Sequence, residues 1–294
     1  MRSWNAVGPP DGKTDQNKTT SRRSPLDLVQ ALVLGILQGA TEFLPISSSG
    51  HLVLLPWLLG WEPGSLLFDA MVHWGTLIAI FLYFWQDLLR LITAGLRGLL
   101  RCSLADQDAR LAWGIVAGTL PAVILGYLFK DQFEALFANP RATSGFLLVT
   151  ATFLFASERW SQQRRPLREV GLIDALVIGT AQAFAIIPGV SRSGATIAAG
   201  LARGLRRETA ARYSFLLATP ALIGAGVLQL AEATTAGQLG QQVPALVIGF
   251  TASAATGYLC IRFLLRYLQD GRLYIFSIYC AAVGLGGLIL SFVR

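Results

Sequence analysis

The chain has 294 residues, 53% of them hydrophobic and 14% charged, with a formal net charge of +7. Soluble domains carry roughly 25% charged residues, so polar surface is too scarce here for a soluble domain, and the mean hydropathy of +0.54 points to a bilayer. The basic residues lie mostly in short stretches between apolar runs, which suits the positive-inside rule and argues against nucleic-acid binding.

Residues 1–24 are rich in Lys, Arg, Asn, Thr and Ser and predict a disordered extension ahead of a membrane domain at 25–294. The first apolar run is broken by Pro45 and has no small-residue cleavage site, so it is not a signal peptide. Apolar segments follow at 26–44, 52–60, 66–86, 111–129, 143–157, 171–187, 195–203, 213–231, 244–268 and 273–292. None alternates with period two, so all are predicted helices and a barrel is excluded.

Six approach the roughly 20 residues that a span needs: 66–86, 111–129, 143–157, 213–231, 244–268 and 273–292, with 143–157 the shortest. The other four form two pairs, each a long and a short helix. One pair is split by Pro45-Ile46-Ser47-Ser48-Ser49-Gly50-His51, the other by Pro188-Gly189-Val190-Ser191-Arg192-Ser193-Gly194. A nine-residue helix rises only about 14 Å, too little for a hydrocarbon core of about 30 Å. Each pair is therefore a predicted re-entrant hairpin, and the fold class is an all-α polytopic membrane protein.

The charges set a topology. Linkers 87–110 and 158–170 hold four arginines each, Arg90, Arg97, Arg101, Arg110 and Arg159, Arg164, Arg165, Arg168. The stretch 130–142 has only Lys130 and Arg141, with Asp131 and Glu134. The arginine-rich linkers should be cytoplasmic and 130–142 external. Arg203, Arg206, Arg207 and Arg212 should then be inside, 232–243 outside and Arg262, Arg266 and Arg272 inside. The first hairpin must dip in from outside, which leaves the basic N-terminal tail outside, against the rule.

The two hairpins are copies. A shift of 144 residues lays Ala31-Leu32-Val33-Leu34-Gly35 on Ala175-Leu176-Val177-Ile178-Gly179, Gln38 on Gln182, and Ser47, Ser49 and Gly50 on Ser191, Ser193 and Gly194. Ala245–Gly249 also reads ALVIG, so the polar matches carry more weight. Three spans separate copies near 26–60 and 171–203, which makes an inverted repeat whose broken helices meet near the midplane. Irregular backbone at that depth must be buried in protein or line a wet cavity.

Chemistry gathers at the breaks. Glu42 follows Gln38 by four residues on one helix face; an intramembrane carboxylate is functional by default, as a ligand for a divalent ion or as a proton carrier. His51 closes the serine turn and suits acid–base work near neutral pH. Arg192, flanked by Ser191 and Ser193 with Thr196 beyond, makes an anion site at the start of a short helix near Gly194. Pairing of Arg192 with Glu42 would describe a resting state. One phosphate cradle beside an acid–base group suggests phosphoryl chemistry, by attack of Ser47, Ser48, Ser49 or an activated water. His73 lines the cavity or sits in the core. Asp174 reads as a first-turn acid favourable to its helix dipole. Cys102, Cys260 and Cys280 have neither disulfide nor zinc spacing and read as apolar filler.

The run Gln38-Gly-Ala-Thr-Glu42-Phe-Leu-Pro-Ile-Ser-Ser-Ser-Gly-His51 resembles the E/Q-xxx-E…SS-x-GH motif of bacterial undecaprenyl-diphosphate phosphatases, the bacitracin-resistance family. Pro188-Gly-Val-Ser-Arg-Ser-Gly-Ala-Thr196 is similar to its PGxSRSxxT motif, and Gly118-Thr-Leu-Pro-Ala-Val is also family-like. The resemblance covers about residues 26–292. It implies hydrolysis of undecaprenyl diphosphate to undecaprenyl phosphate and phosphate, which recycles the lipid carrier for peptidoglycan and confers bacitracin resistance. It further implies catalytic Glu42, His51, Ser48 and Arg192, and substrate binding by Ser47, Ser49, Ser191, Ser193 and Thr196. A divalent cation, Mg2+ or Ca2+, would sit on Glu42 and Gln38, in a bacterial plasma membrane protein whose site opens to the periplasm or exterior. Gln38 stands where Glu is frequent, which weakens a two-carboxylate metal site, and His73 stands where Gln is expected. Partners implied are undecaprenyl diphosphate and the bilayer, with a homodimer as a further candidate. Inverted repeats are also a transporter design, so a lipid-phosphate flippase is the rival reading.

Overall fold

The computed structural model of the chain describes residues 27–62, 64–235 and 243–293. The N-terminal extension and most of the linker at 232–243 lie outside them. The described residues form eleven α-helices and no sheet, only an isolated bridge between Arg165 and Leu205. The first hairpin is α1 (Leu28–Phe43) and α2 (Ser48–Leu59); the second is α7 (Leu172–Phe184) and α8 (Arg192–Ala202). The long helices are α3 (Leu66–Leu100), α4 (Gln107–Leu128), α6 (Pro140–Trp160), α9 (Arg207–Thr235), α10 (Val243–Asp270) and α11 (Tyr274–Val293). At about 1.5 Å per residue, the short arms α2 and α8 rise about 18 and 16 Å, too little to cross.

Five of the long helices are long and apolar enough to span a membrane: α3, α4, α9, α10 and α11. The sixth expected span, α6, has the length at 21 residues but not the hydropathy. Its buried face carries Thr143, Ser144, Thr150 and Ser157; the last three donate to the backbone carbonyls of Pro140, Gly189 and Leu154.

Three expectations are corrected. The segment 66–86 is only the first part of α3, which bends at Phe84 (φ −106°, ψ 17°) and continues to Leu100. The kink is held from inside: Phe84 packs on Phe215, Arg212 lies 5.5 Å over its ring, and Arg212 pairs with Asp87 at 2.5 Å. The linker after α3 thus shrinks to 101–106. The stretch 130–142 contains a short helix, α5 (Lys130–Phe137). The short arms also start earlier than expected, at Ser48 and Arg192, because the serine before each one caps it.

The repeat is visible in the packing. The long arm of each hairpin lies against a helix of the other half, α1 on α10 and α7 on α4, while α3 meets α9 and α6 meets α11. The glycines explain how. A methyl on Gly35 would sit 2.5 Å from the Gly249 carbonyl oxygen, and one on its repeat mate Gly179 would collide with Gly118. Bare backbone at these two crossings lets the helices approach closely, as small residues do in membranes. The third ALVIG run, Ala245–Gly249, is thus the surface on which the first one rests.

The arginine-bearing linkers converge on one end of the bundle. Arg90 meets Asp108 at 3.2 Å, Gln107 donates to the Arg168 carbonyl, and Arg165 pairs with Asp174 at 2.8 Å while donating to the Arg203 carbonyl. Asp174 also holds Arg203 at 2.6 Å, so it ties the start of α7 to the end of α8. Glu158 pairs with Arg207 and accepts the Leu273 N–H at 3.2 Å. At the opposite end Arg141 donates to the Ser291 carbonyl at 2.9 Å and stacks on Phe292.

Candidate active site

The hairpin tips meet inside the bundle, and backbone chemistry explains why. Pro45, with no N–H to give, ends α1, and the Leu44 carbonyl accepts both the Ile46 N–H at 2.7 Å and the Ser193 hydroxyl of the other tip at 3.1 Å. The Pro45 carbonyl accepts from Cys280 at 3.7 Å, so this cysteine is buried structure rather than filler alone. In the second tip Gly189 has φ +93°, and a side chain there would strike α6. Thr150 of α6 closes that turn twice, donating to the Gly189 carbonyl and accepting the Ser191 N–H, both at 2.9 Å.

Both short arms begin with the same cap. Ser47 Oγ accepts the Gly50 N–H at 3.2 Å and lies 3.3 Å from Ser49 Oγ. Ser191 Oγ accepts the Gly194 N–H at 3.0 Å and lies 3.2 Å from Ser193 Oγ. Ser47 adopts φ +72°, strained for a residue with a side chain. The first N–H groups of α2 and α8 have no partner within their helices, and both helix dipoles direct positive potential at the same region.

Glu42 is the hub. Arg192 Nη2 donates to its Oε1 at 2.8 Å; Ser48 Oγ, at 2.5 Å, and Gln38 Nε2, at 3.0 Å, donate to its Oε2. Glu42 is 5% exposed and Arg192 18%. Two polar atoms beside this cluster are buried without partners, Arg192 Nη1 and Gln38 Oε1. Buried polar groups are normally satisfied, so the two orphans mark where a ligand has yet to supply an acceptor and a charge. Gln182, the repeat mate of Gln38, is likewise buried with both amide atoms unpaired.

His51 is in the first turn of α2, but its hydrogen bonds go elsewhere: Nδ1 to the Ser47 carbonyl at 2.7 Å and Nε2 to Tyr279 Oη at 2.8 Å. The carbonyl fixes the tautomer. Nδ1 carries the proton and Nε2 accepts from the tyrosine, whose ring stacks on the imidazole at 5.6 Å. His73 Nδ1 donates to the Asp69 carbonyl at 2.7 Å. Thr196 bonds the Arg192 carbonyl at 2.7 Å and Ser214 at 2.6 Å, which positions the arginine rather than facing a ligand.

Glu42, Gln38, Ser48 and Arg192 are thus brought together, Ser47 and Ser191 are caps, Ser49 and Ser193 lie beside them, and His51 stands to one side. Sequence reasoning missed Tyr279, Thr150 and Ser214. None belongs to a motif; only the hydroxyl content of 143–157 hinted at Thr150.

Among the described residues no group of three His, Cys, Asp or Glu side chains could hold a metal. The donors at hand are Glu42 and the unpaired Gln38 Oε1. Hard oxygen donors of this kind suit Mg2+ or Ca2+ when phosphate oxygens complete the shell.

Comparison with known proteins agrees with this architecture. Residues 31–286 match the family described as Bacitracin resistance protein BacA. A Pelotomaculum thermopropionicum protein named undecaprenyl-diphosphatase is 44% identical over 273 residues, covering 92% of this chain and 98% of its own. Proteins of the same name from Methanosphaera stadtmanae (45% over 278 residues, 91% and 99% covered) and Thermomicrobium roseum (44% over 278 residues, 92% and 100% covered) are similar throughout. With its helix pattern, both hairpin tips and nearly its whole described length inside that match, the chain belongs to the BacA bacitracin resistance protein family.

Proposed function

We propose that the chain hydrolyses undecaprenyl diphosphate to undecaprenyl phosphate and inorganic phosphate, recycling the lipid carrier for peptidoglycan synthesis and giving resistance to bacitracin. Arg192 is the observation that carries the reading. Half of its guanidinium is held by Glu42, and the other half, Nη1, is buried and unpaired, a fork with one prong open for a phosphate oxygen.

In this reading the terminal phosphate rests between Arg192 Nη1 and the free N–H groups opening α2 and α8, where developing charge is stabilised without reorganisation. Ser48 attacks phosphorus and passes its proton to Glu42, which already accepts from it at 2.5 Å. The bridging P–O bond breaks and undecaprenyl phosphate leaves. Water then cleaves the phosphoserine, releasing inorganic phosphate. Ser47, Ser49, Ser191 and Ser193 shape the cradle. His51 follows Ser48 by three residues in α2, and release from Tyr279 would free Nε2 to move a proton. A divalent cation on Glu42 and Gln38 would neutralise phosphate charge; the buried, unpaired Gln38 Oε1 supports this.

The positive-inside rule makes the arginine-rich end cytoplasmic. The first hairpin then enters from the outer side of a bacterial plasma membrane, and the site opens towards periplasm or exterior. The inverted repeat favours a second reading, lipid-phosphate transport. Purified protein should release phosphate from undecaprenyl diphosphate, lose this with a chelator and recover it with Mg2+ or Ca2+. Folded Arg192→Ala and Glu42→Ala proteins that keep full activity would overturn the site. Movement of lipid across liposomes without cleavage would select the transporter.

A further inference from the structure

Two cavities adjoin at Ser161, the residue that follows α6. The first, about 470 Å³, is polar and is lined by Glu158, Arg159, Ser161, Arg207, Arg272 and Tyr274 among others. The second, about 490 Å³, is an apolar groove between α6, α7 and α8, lined by Phe153, Trp160, Phe184, Ala198, Ala199 and Ala202. Ser161 belongs to both walls, and its hydroxyl is buried without a partner. The groove is open to the side: Trp160 is 76% and Phe184 56% exposed. It also runs along α8, from Ala195, three residues after Arg192, to exposed Ala202.

Charge selects the occupant. Three arginines and one carboxylate line the polar cavity, and Glu158 is already held by Arg207. Neither Arg159 nor Arg272 has a carboxylate partner among the described residues. The surplus of two positive charges matches a phosphate monoester, which carries about −1.5 to −2 at pH 7, better than a phosphodiester with a single charge. One chain is assigned to the groove, a single furrow of about 490 Å³ between α6, α7 and α8.

We propose that groove and cavity together form a second lipid site, at the arginine-rich end of the bundle, for a single-chain lipid phosphate monoester. The chain lies between α6 and α8, and the phosphate is held by Arg159 and Arg272 with the Ser161 hydroxyl donating. This goes beyond the hydrolytic reading and needs no catalysis: it gives the protein a binding place for a monoester lipid at the end opposite the one from which the first hairpin enters.

The test is calorimetric titration of farnesyl monophosphate into the full-length protein carrying Arg192→Ala, which removes the catalytic cradle. One saturable site is expected. It should weaken about tenfold or more when Arg159→Gln and Arg272→Gln are added together, and again with Ala202→Phe, which fills the open end of the groove. An unchanged melting temperature shows that these variants are folded. Farnesol and inorganic phosphate should each bind at least about tenfold more weakly than the joined molecule. Undiminished affinity in both variants, or equal binding of farnesol, overturns the proposal. So does phosphatidylglycerol that competes as well as farnesyl monophosphate, because a diester would then satisfy the arginines equally.

Discussion

Replacing Glu42 by Gln separates the two tasks assigned to this side chain. As a structural hub it accepts three hydrogen bonds, from Arg192, Ser48 and Gln38. Removing one partner of a buried ion pair outright costs about 3–5 kcal/mol. Gln is gentler. Its carbonyl can still face Arg192, and the new amide N–H can be met by Gln38, whose unpaired Oε1 needs only a turn of the amide. Ser48 can rotate as well. The loss is then one charge beside a partly exposed arginine, about 1–2 kcal/mol. As a base the same substitution removes the carboxylate that accepts from the Ser48 hydroxyl at 2.5 Å. General base catalysis contributes about 10²–10⁴-fold, equivalent to about 2.7–5.4 kcal/mol of barrier. Phosphate release from undecaprenyl diphosphate should therefore fall by at least about a hundredfold, while thermal denaturation in detergent shifts by only a few degrees. A folded Glu42→Gln protein within about threefold of the normal rate would refute the base role and leave Glu42 as a counter-ion for Arg192.

Tyr279→Phe removes one neutral hydrogen bond to His51 and should cost about 0.5–1.5 kcal/mol in a denaturation midpoint; if His51 moves protons, the pH profile of phosphate release shifts as well, and an unmoved profile argues for a purely structural imidazole. Thr150→Val leaves the Gly189 carbonyl and Ser191 N–H without partners, each costing about 1–3 kcal/mol. It should lower activity although Thr150 touches no candidate ligand, and a normal melting curve would show that α6 does not hold the second tip. Gly179→Ala should destabilise more than Gly35→Ala, by about 1–3 kcal/mol, since its methyl group would lie closer to the Gly118 carbonyl oxygen than the 2.5 Å between a Gly35 methyl group and the Gly249 carbonyl oxygen; equal melting temperatures would count against close backbone crossing as the basis of the repeat.

Ten apolar runs, their helical period and the two broken pairs were legible because composition and Pro/Gly/Ser punctuation act locally. The extension of α3 past Phe84 was not, because Arg90 and Arg97 read as linker while Phe215 and Arg212, far along the chain, hold the helix together. Glu42, Ser48 and Arg192 were legible as a group because an intramembrane charge announces itself. Their partners were not. Tyr279 and Thr150 are common residues in apolar helices, and only packing brings them to His51 and Gly189. Thr196 and Ser193 were read as ligand groups, yet their hydroxyls go to Ser214, Arg192 and Leu44, since a buried hydroxyl takes the nearest carbonyl available.

The repeat explains why one fold can hold opposite charges at its centre. The caps at Ser47 and Ser191 repeat their hydrogen bonds, Oγ accepting the N–H three residues on, although Ser47 has φ +72° and Ser191 φ −72°, so both copies offer a capped helix start. What differs is the set of side chains mounted there. At the 144-residue shift, Ser48 corresponds to Arg192, Glu42 to Ile186, and His51 to Ala195. The first copy thus carries nucleophile, carboxylate and imidazole, and the second carries the guanidinium on the position equivalent to the nucleophile. Two arginines facing each other would repel, and two serines would leave a phosphate without a counter-charge. Divergence at these three pairs turns two capped, anion-receptive helix ends into one holder and one reactor, and the pseudo-symmetry delivers them to each other without any motif having to encode the distance.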